Sequence, residues 1–276
     1  MDKNEPAFQW RWSKGVPYGF FPDLSQDGLV THGFSTRQGG ISRGVYSSMN
    51  FWFNCEDNPA HVQENFRRYT AALDVELERA VLTHQTHETR IRMITEKDVG
   101  KGFAVPRDYE RIDGLMTNIK GIPLMTFHAD CIPIYLTDPE NRAIGLAHAG
   151  WRGTVNQIAV EIVERMRSAY GTRPENVIAG IGPSIGQCCF KIHDDVHNQF
   201  LELLPFTKKM FLKPNSRQWS ISLQDVTRIL LHGTGIPMDS IFLADICTCC
   251  HHQLFFSHRV HGTERGTMGA LIQLND

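Results

Sequence analysis

Between Ile122 and Ser168 the chain reads as three apolar strands and an amphipathic helix joined by very short connections, and this constrains the fold more than any other feature. GIPLMTF and CIPIYL are apolar runs of strand length, separated only by His128-Ala129-Asp130. Arg142–His148 is a further short apolar strand. It runs into GLAHAGWRGT (Gly145–Thr154), and Thr154–Ser168 then places Val155, Ile158, Ile162 and Met166 on one helical face. Several strands look antiparallel-connected, which favours mixed sheets over a doubly wound parallel one.

The remaining pattern extends this reading. LVTHGFSTRQGG is a strand entering a glycine turn. Asn58–Leu77 is a helix opened by an Asn58 cap and Pro59 at its first turn, with Val62, Phe66, Tyr69 and Leu73 at helical spacing. Ala80–Ile94 alternates as a strand, which puts His84 and His87 on opposite faces. Val177–Ile181 and Ile241–Ile246 read as strands, Asp194–Leu204 and Leu223–His232 as helices, and FFSHR and MGALIQL as closing strands. No linker, repeat or low-complexity tract divides the chain. The expectation is therefore an α+β fold, with mixed sheets layered with helices, in a single domain spanning 1–276.

Charge and cysteine usage narrow the function class. A formal net charge of -2 with both signs interspersed gives no nucleic-acid stripe and no membrane-surface helix. The start, MDKNEPAFQW, lacks a signal-peptide core, and no run of about 18 apolar residues occurs. A cytoplasmic protein is expected. Seven cysteines, an odd number, argue for reduced thiols or metal ligands rather than a disulfide framework.

Three candidate ligands stand at the ends of apolar segments: His87 in HQTHE, Cys131 in HADC and His148 in AHAGWRG. Zinc with three such ligands keeps a fourth position open. Cys131 and His148 also suit a thiolate–imidazole nucleophile, and the residues alone do not separate the two readings. In CTCCHH, Cys247 and Cys250 form a C-x-x-C pair beside Cys249, His251 and His252. A second zinc there needs Cys188-Cys189, and adjacent strand residues point to opposite faces. Small buried residues beneath a pocket are therefore the preferred reading. STRQGG and GWRG pair Arg37 and Arg152 with backbone donors, an anion-binding combination that also occurs in ordinary turns.

HGFSTRQGGIS, HQTH, DGLMTN, HADCIPIYL, GLAHAGWRGT, AGIGPSIGQCCF and CTCCHHQLFFSHR follow one another in this order. From about Gly33 to Leu271 the chain resembles the YfiH family, also described as laccase-domain or polyphenol-oxidase-type proteins and purine nucleoside phosphorylases. The resemblance implies metal ligands at His87, Cys131 and His148. It also implies an α/β/β/α layering similar to the catalytic domains of cysteine deamidase toxins. It implies phosphorolysis of adenosine, inosine, guanosine and 5'-methylthioadenosine, with adenosine deamination. Zinc would lower the pKa of water toward ~7 for attack at the purine ring.

In that picture Cys131, His148 and Asp130 are the catalytic group, and Arg37, Gln85, Arg152, Ser257 and Arg259 contact nucleoside or phosphate. Three positions depart from the family pattern: Glu88 after HQTH, Val260-His261 after FSHR, and Thr267 in place of an arginine, with Arg265 close by. No His-x-His pair occurs, so a trinuclear copper cluster is not expected. A His2Cys site would still take Cu2+ when offered. The remaining alternatives are a copper-dependent polyphenol oxidase and an amidase that edits peptidoglycan precursors at the same residues.

Overall fold

The computed structural model describes residues 6–215 and 217–275. The first five residues of the amino-terminal stretch lie outside that range. Two six-stranded sheets dominate. The first runs, edge to edge, Gln9–Ser13, Val16–Phe20, Val30–Ser35, Met268–Leu274, Leu124–His128, Val81–Leu82. The second runs Ile241–Leu243, Ile178–Ile181, Ile132–Asp138, Ala143–Ala149, Gly114–Thr117, Ile91–Met93. Most neighbours are antiparallel. Among the described residues of these two sheets, parallel strand pairs lie at the edges, where Val81–Leu82 meets Leu124–His128 and where both edge strands of the second sheet join it. A small three-stranded sheet carries Lys191–Ile192, Gln218–Ser220 and Leu212–Asn215.

The expected α+β class with mixed sheets is what forms, with six α-helices among the described residues: α1 (Pro59–Ala72), α2 (Trp151–Val155), α3 (Ile158–Tyr170), α4 (Asp194–Leu203), α5 (Leu223–Gly233) and α6 (His258–His261). Strands Ile132–Asp138 and Ala143–Ala149 are buried along their whole length because both faces are covered. Their alternation sorts the core. Ile132, Ile134, Leu136, Ala143 and Ala147 join the cluster beneath α2 to α5, whereas Tyr135, Ile144 and Leu146 fill the space between the two sheets. On the outer face of the first sheet, α1 contributes Val62, Phe66 and Tyr69 to a third cluster. Gly145 belongs to the helix-facing set for a steric reason: a Cβ there would sit 3.0 Å from Ile162 and 3.0 Å from Met166 of α3.

Several elements differ from the sequence reading. The Asn58 cap is present, its side chain accepting the Ala60 N–H, but α1 ends at Ala72 because Asp74 turns left-handed at φ 56°. The expected helix Thr154–Ser168 is two helices, broken where Gln157 adopts φ 63°. Ala80–Ile94 is not one strand. Pairing stops at Leu82, His84 makes a lone bridge to Ile112, and His87 is left-handed at φ 63°. FFSHR is not a strand either, since Ser257 precedes the short helix α6. Among the described residues, no helix is long and apolar enough to cross a membrane.

Candidate metal centre and active site

Strand register brings two of the three candidate ligands together. Pro133 stands opposite His148 in the antiparallel ladder, so Cys131, just before that strand, comes to the end where His148 emerges. Because Ile144 and Leu146 point into the space between the sheets, His148 follows them two residues later and is buried. His87 arrives from the loop beyond Leu82. The ligand atoms of His87, Cys131 and His148 lie within 4.8 Å of one another, and His87 Nε2 is 3.7 Å from Cys131 Sγ. Tetrahedral zinc with ordinary Zn–N and Zn–S bonds holds its nitrogen and sulfur ligands about 3.6 Å apart.

Gly150 completes this cradle. A Cβ at that position would lie 2.7 Å from His87 Cδ2 and 3.1 Å from Cys131 Sγ. Its φ of -74° is ordinary for any residue, so the glycine is required by the space the two ligands occupy and not by the turn. Gly153 has only ordinary contacts around it.

Asp113 organises the site, and the sequence reading passed over it inside DGLMTN. Its side chain is fully buried and accepts four hydrogen bonds. Oδ1 accepts from the backbone N–H of His87 at 3.0 Å and from Nδ1–H of His148 at 2.9 Å. Oδ2 accepts from the backbone of Thr86 and of Glu88, both at 3.0 Å. Successive N–H groups converging on one carboxylate fold the loop so that His87 faces Cys131. Committing Nδ1 of His148 as a donor leaves its Nε2 lone pair for a metal. Burial alone would raise the Asp113 carboxyl, but the His148 contact and backbone donors hold it below the usual carboxylate value.

His128 supports Cys131 from beneath. Its Nδ1–H donates to the Cys131 carbonyl at 3.1 Å, so Nε2 accepts from the Thr126 hydroxyl at 2.7 Å. Burial and the neighbouring His148 push its pKa well down and keep it neutral. In the metal-free chain, burial pushes the Cys131 thiol up, but the His148 charge and hydrogen bonds from His148 and His87 bring it down to about 6. Burial likewise opposes a charge on His148, yet Cys131 and Asp113 raise it to about 9. Cys131 and His148 therefore form a thiolate–imidazolium pair ready to exchange a proton for a soft metal ion.

The other expected site residues divide. Asp130, at φ 82°, turns its carboxylate away from the ligands. It accepts from Thr248 Oγ1 at 2.6 Å, Ser257 Oγ at 3.0 Å and the Arg259 backbone N–H at 2.7 Å. Ser257 and Arg259 are thus joined to the site through Asp130. The Arg259 guanidinium donates to the carbonyls of Cys189 and Lys191. The Gln85 amide is spent on Phe127, accepting its N–H and donating to its carbonyl, both at 2.7 Å. Arg37 donates to the Ser47 and His252 carbonyls and lies over Phe256, which makes it a brace. Arg152 is exposed and lies over its neighbour Trp151.

His84 stays outside, its Nδ1 accepting the Arg111 N–H. Glu88 pairs with Arg111, which compensates the charge it brings beside a ligand. One cation was not anticipated as a site residue. Arg265 is half-buried over Trp52, within electrostatic reach of both Asp130 and Cys131, and its buried Nε has no hydrogen-bond partner among the described residues. Its signal was the exchange of arginine for Thr267 two residues on.

Comparison with known proteins follows the same outline. Residues 31–275 match the family described as "Multi-copper polyphenol oxidoreductase laccase". "Purine nucleoside phosphorylase YlmD" of Geobacillus stearothermophilus is 35% identical over 246 residues, covering 87% of each chain. "Adenosine deaminase RL5", from an unknown prokaryotic organism, is 32% identical over 239 residues, covering 84% of this chain and 90% of its own. The crystal structure of the Bacillus licheniformis protein YfiH superposes with a TM-score of 0.89 at 34% identity, covering 96% of this chain and 99% of its own.

Proposed function

The chain belongs to the multi-copper polyphenol oxidoreductase laccase family, and from that membership we propose that it is a zinc-dependent purine nucleoside phosphorylase with adenosine deaminase activity. The observation that carries this reading is the convergence of His87, Cys131 and His148 on one point with a glycine-lined space between them. A group of three protein ligands, as these form among the described residues, suits a catalytic ion better than a closed structural one. His87 and Cys131 would hold the ion together with Nε2 of His148. Bound zinc supplies Lewis acidity at its open position.

The chain's own groups then set substrate and geometry. In phosphorolysis a phosphate oxygen bonds to the ribose anomeric carbon while the bond to the purine nitrogen breaks, and the base leaves with the electron pair. Arg265, half-buried, with an unpartnered Nε and within electrostatic reach of Asp130 and Cys131, is the cation we assign to hold that phosphate. This moves the phosphate role from Arg37 and Arg152 to Arg265. Asp130 accepts from Thr248, Ser257 and the Arg259 backbone N–H, which suits positioning these residues better than acting as a base. Copper bound to the same ligands would account for weak phenol oxidation as a side reaction.

The whole chain would act as one catalytic domain, in keeping with the core the two sheets share. Seven free thiols support the cytoplasm as its location.

A second reading is an amidase at the same Cys/His/zinc site. Cys131, His148 and Asp113 line up as nucleophile, base and orienting carboxylate, which supports an amidase acting on peptidoglycan precursors and the expected likeness to cysteine deamidase toxins. Incubating the zinc-loaded protein with adenosine, with and without phosphate, separates the two. Adenine formed only with phosphate and lost in His148→Ala supports phosphorolysis, and inosine formed without phosphate supports deamination. Adenosine surviving both conditions overturns the purine reading and leaves the amidase.

A further inference from the structure

A second set of thiols converges away from the site just described. The sulfurs of Cys188, Cys189, Cys247 and Cys250 lie within 4.8 Å of one another, with Cys188 Sγ and Cys189 Sγ each 3.5 Å from Cys250 Sγ. Thiolates around tetrahedral zinc stand about 3.8 Å apart. As strand neighbours, Cys188 and Cys189 would face opposite ways. Gln187–Cys189 is instead a turn, which presents both sulfurs to the Cys247–Cys250 loop.

Two further observations suit a metal site. Cys247 Sγ accepts backbone N–H groups from Gly186 at 3.1 Å and from Cys250 at 3.5 Å, the kind of donors that orient and stabilise a ligating thiolate. Gly186 also keeps the space clear, because a Cβ there would lie 3.0 Å from Cys247 Cβ and 3.2 Å from Cys188 Sγ.

We propose that Cys188, Cys189, Cys247 and Cys250 bind one zinc ion in a closed, structural four-thiolate site, separate from the ion held by His87, Cys131 and His148. Four protein ligands leave no coordination position for substrate. What the site does follows from what its loops carry. Thr248, between the two cysteines of the C-x-x-C, donates to Asp130, and the carbonyl of Cys189 accepts from Arg259. Clamping the two loops therefore fixes the partners of Asp130, the residue before Cys131. Zinc binding releases one proton from each thiol that was protonated and changes no oxidation state.

The test is metal analysis of the reduced, zinc-loaded protein after dialysis against metal-free buffer. The wild type should carry two zinc ions per chain and the double variant His87→Ala/His148→Ala one. Cobalt loaded into that double variant should give thiolate charge-transfer and tetrahedral d–d bands. Cys247→Ser/Cys250→Ser should lose this ion and keep the other. If those serine changes prevent folding, the His87→Ala/His148→Ala protein still decides. A single ion in the wild type, with none in His87→Ala/His148→Ala, overturns the proposal. So does a zinc-exposed protein whose mass is two hydrogens light through a Cys188–Cys250 disulfide.

Discussion

Asp113 Oδ1 accepts both the Nδ1–H of His148 and the backbone N–H of His87, so one oxygen sets the ring orientation of one ligand and the position of another. Asp113→Asn keeps the volume but replaces one acceptor oxygen with an NH2 group facing donors. Zinc affinity should fall roughly 10–100-fold, as is usual when a carboxylate behind a ligating histidine is removed. Stability should fall by about 1–3 kcal/mol for the buried donors left unpaired. Competition with a chromophoric chelator measures the first effect and urea denaturation the second. Unchanged zinc affinity would show that Asp113 only shapes the loop.

Gly150 separates site geometry from fold. Its backbone conformation is open to any residue, while a methyl group would meet His87 Cδ2 at 2.7 Å and Cys131 Sγ at 3.1 Å. Gly150→Ala should therefore leave the melting temperature within a few degrees of the parent, a shift of about 1 kcal/mol or less, while lowering both zinc affinity and phosphorolysis. A variant that melts normally and retains full zinc affinity would show that the ligands have more room than the structure gives them.

How far the site could be read from the residues depended on where its order comes from. His87, Cys131 and His148 lie at ends of apolar segments, and strands such as Ile132–Asp138 announce themselves because both faces are buried. The path of the chain near His87 could not be read in this way. Alternation from Ala80 to Ile94 suggested a strand, but the backbone N–H groups of Thr86, His87 and Glu88 turn to a carboxylate 25 or more residues away. Gln157 likewise breaks a helix whose apolar spacing is continuous. Cys188 and Cys189 looked incompatible as a pair only because strand geometry was assumed for a turn. The misses come from long-range hydrogen bonds, a left-handed residue or a turn overriding local periodicity.

Arg265 offers a test that distinguishes the two chemistries of one site. Phosphorolysis uses phosphate and deamination does not, whereas both share the metal ligands. Losing a charge-assisted hydrogen bond of about 1.5–3 kcal/mol, Arg265→Ala should raise KM for phosphate roughly 10–100-fold and leave adenosine deamination near the parent rate. Arg265→Lys should recover part of the loss. Equal damage to both reactions would place Arg265 in the scaffold and return the phosphate role to Arg37 or Arg152.

His32 gives the protein an acid-sensitive core independent of the metal. It stacks on Phe21, accepts that residue's backbone N–H through Nε2 at 2.9 Å, and contacts Ser25 Oγ through Nδ1. Burial pushes its pKa from 6.5 down to about 3. Below pH 6.5 the unfolded chain binds a proton that the folded chain refuses, so stability falls with pH across this window, by roughly 1.4 kcal/mol per unit. The loss is complete near pH 3, where the folded state protonates as well. His32→Gln keeps an acceptor for the Phe21 N–H and does not titrate. Urea midpoints measured at pH 7.5 and pH 5 should therefore lie closer together in His32→Gln than in the parent. The lower of the two pH values lies about 1.5 units below the unfolded pKa, which makes the expected difference about 2 kcal/mol. The same pH dependence in both proteins would mean that His32 is solvated enough to protonate in place.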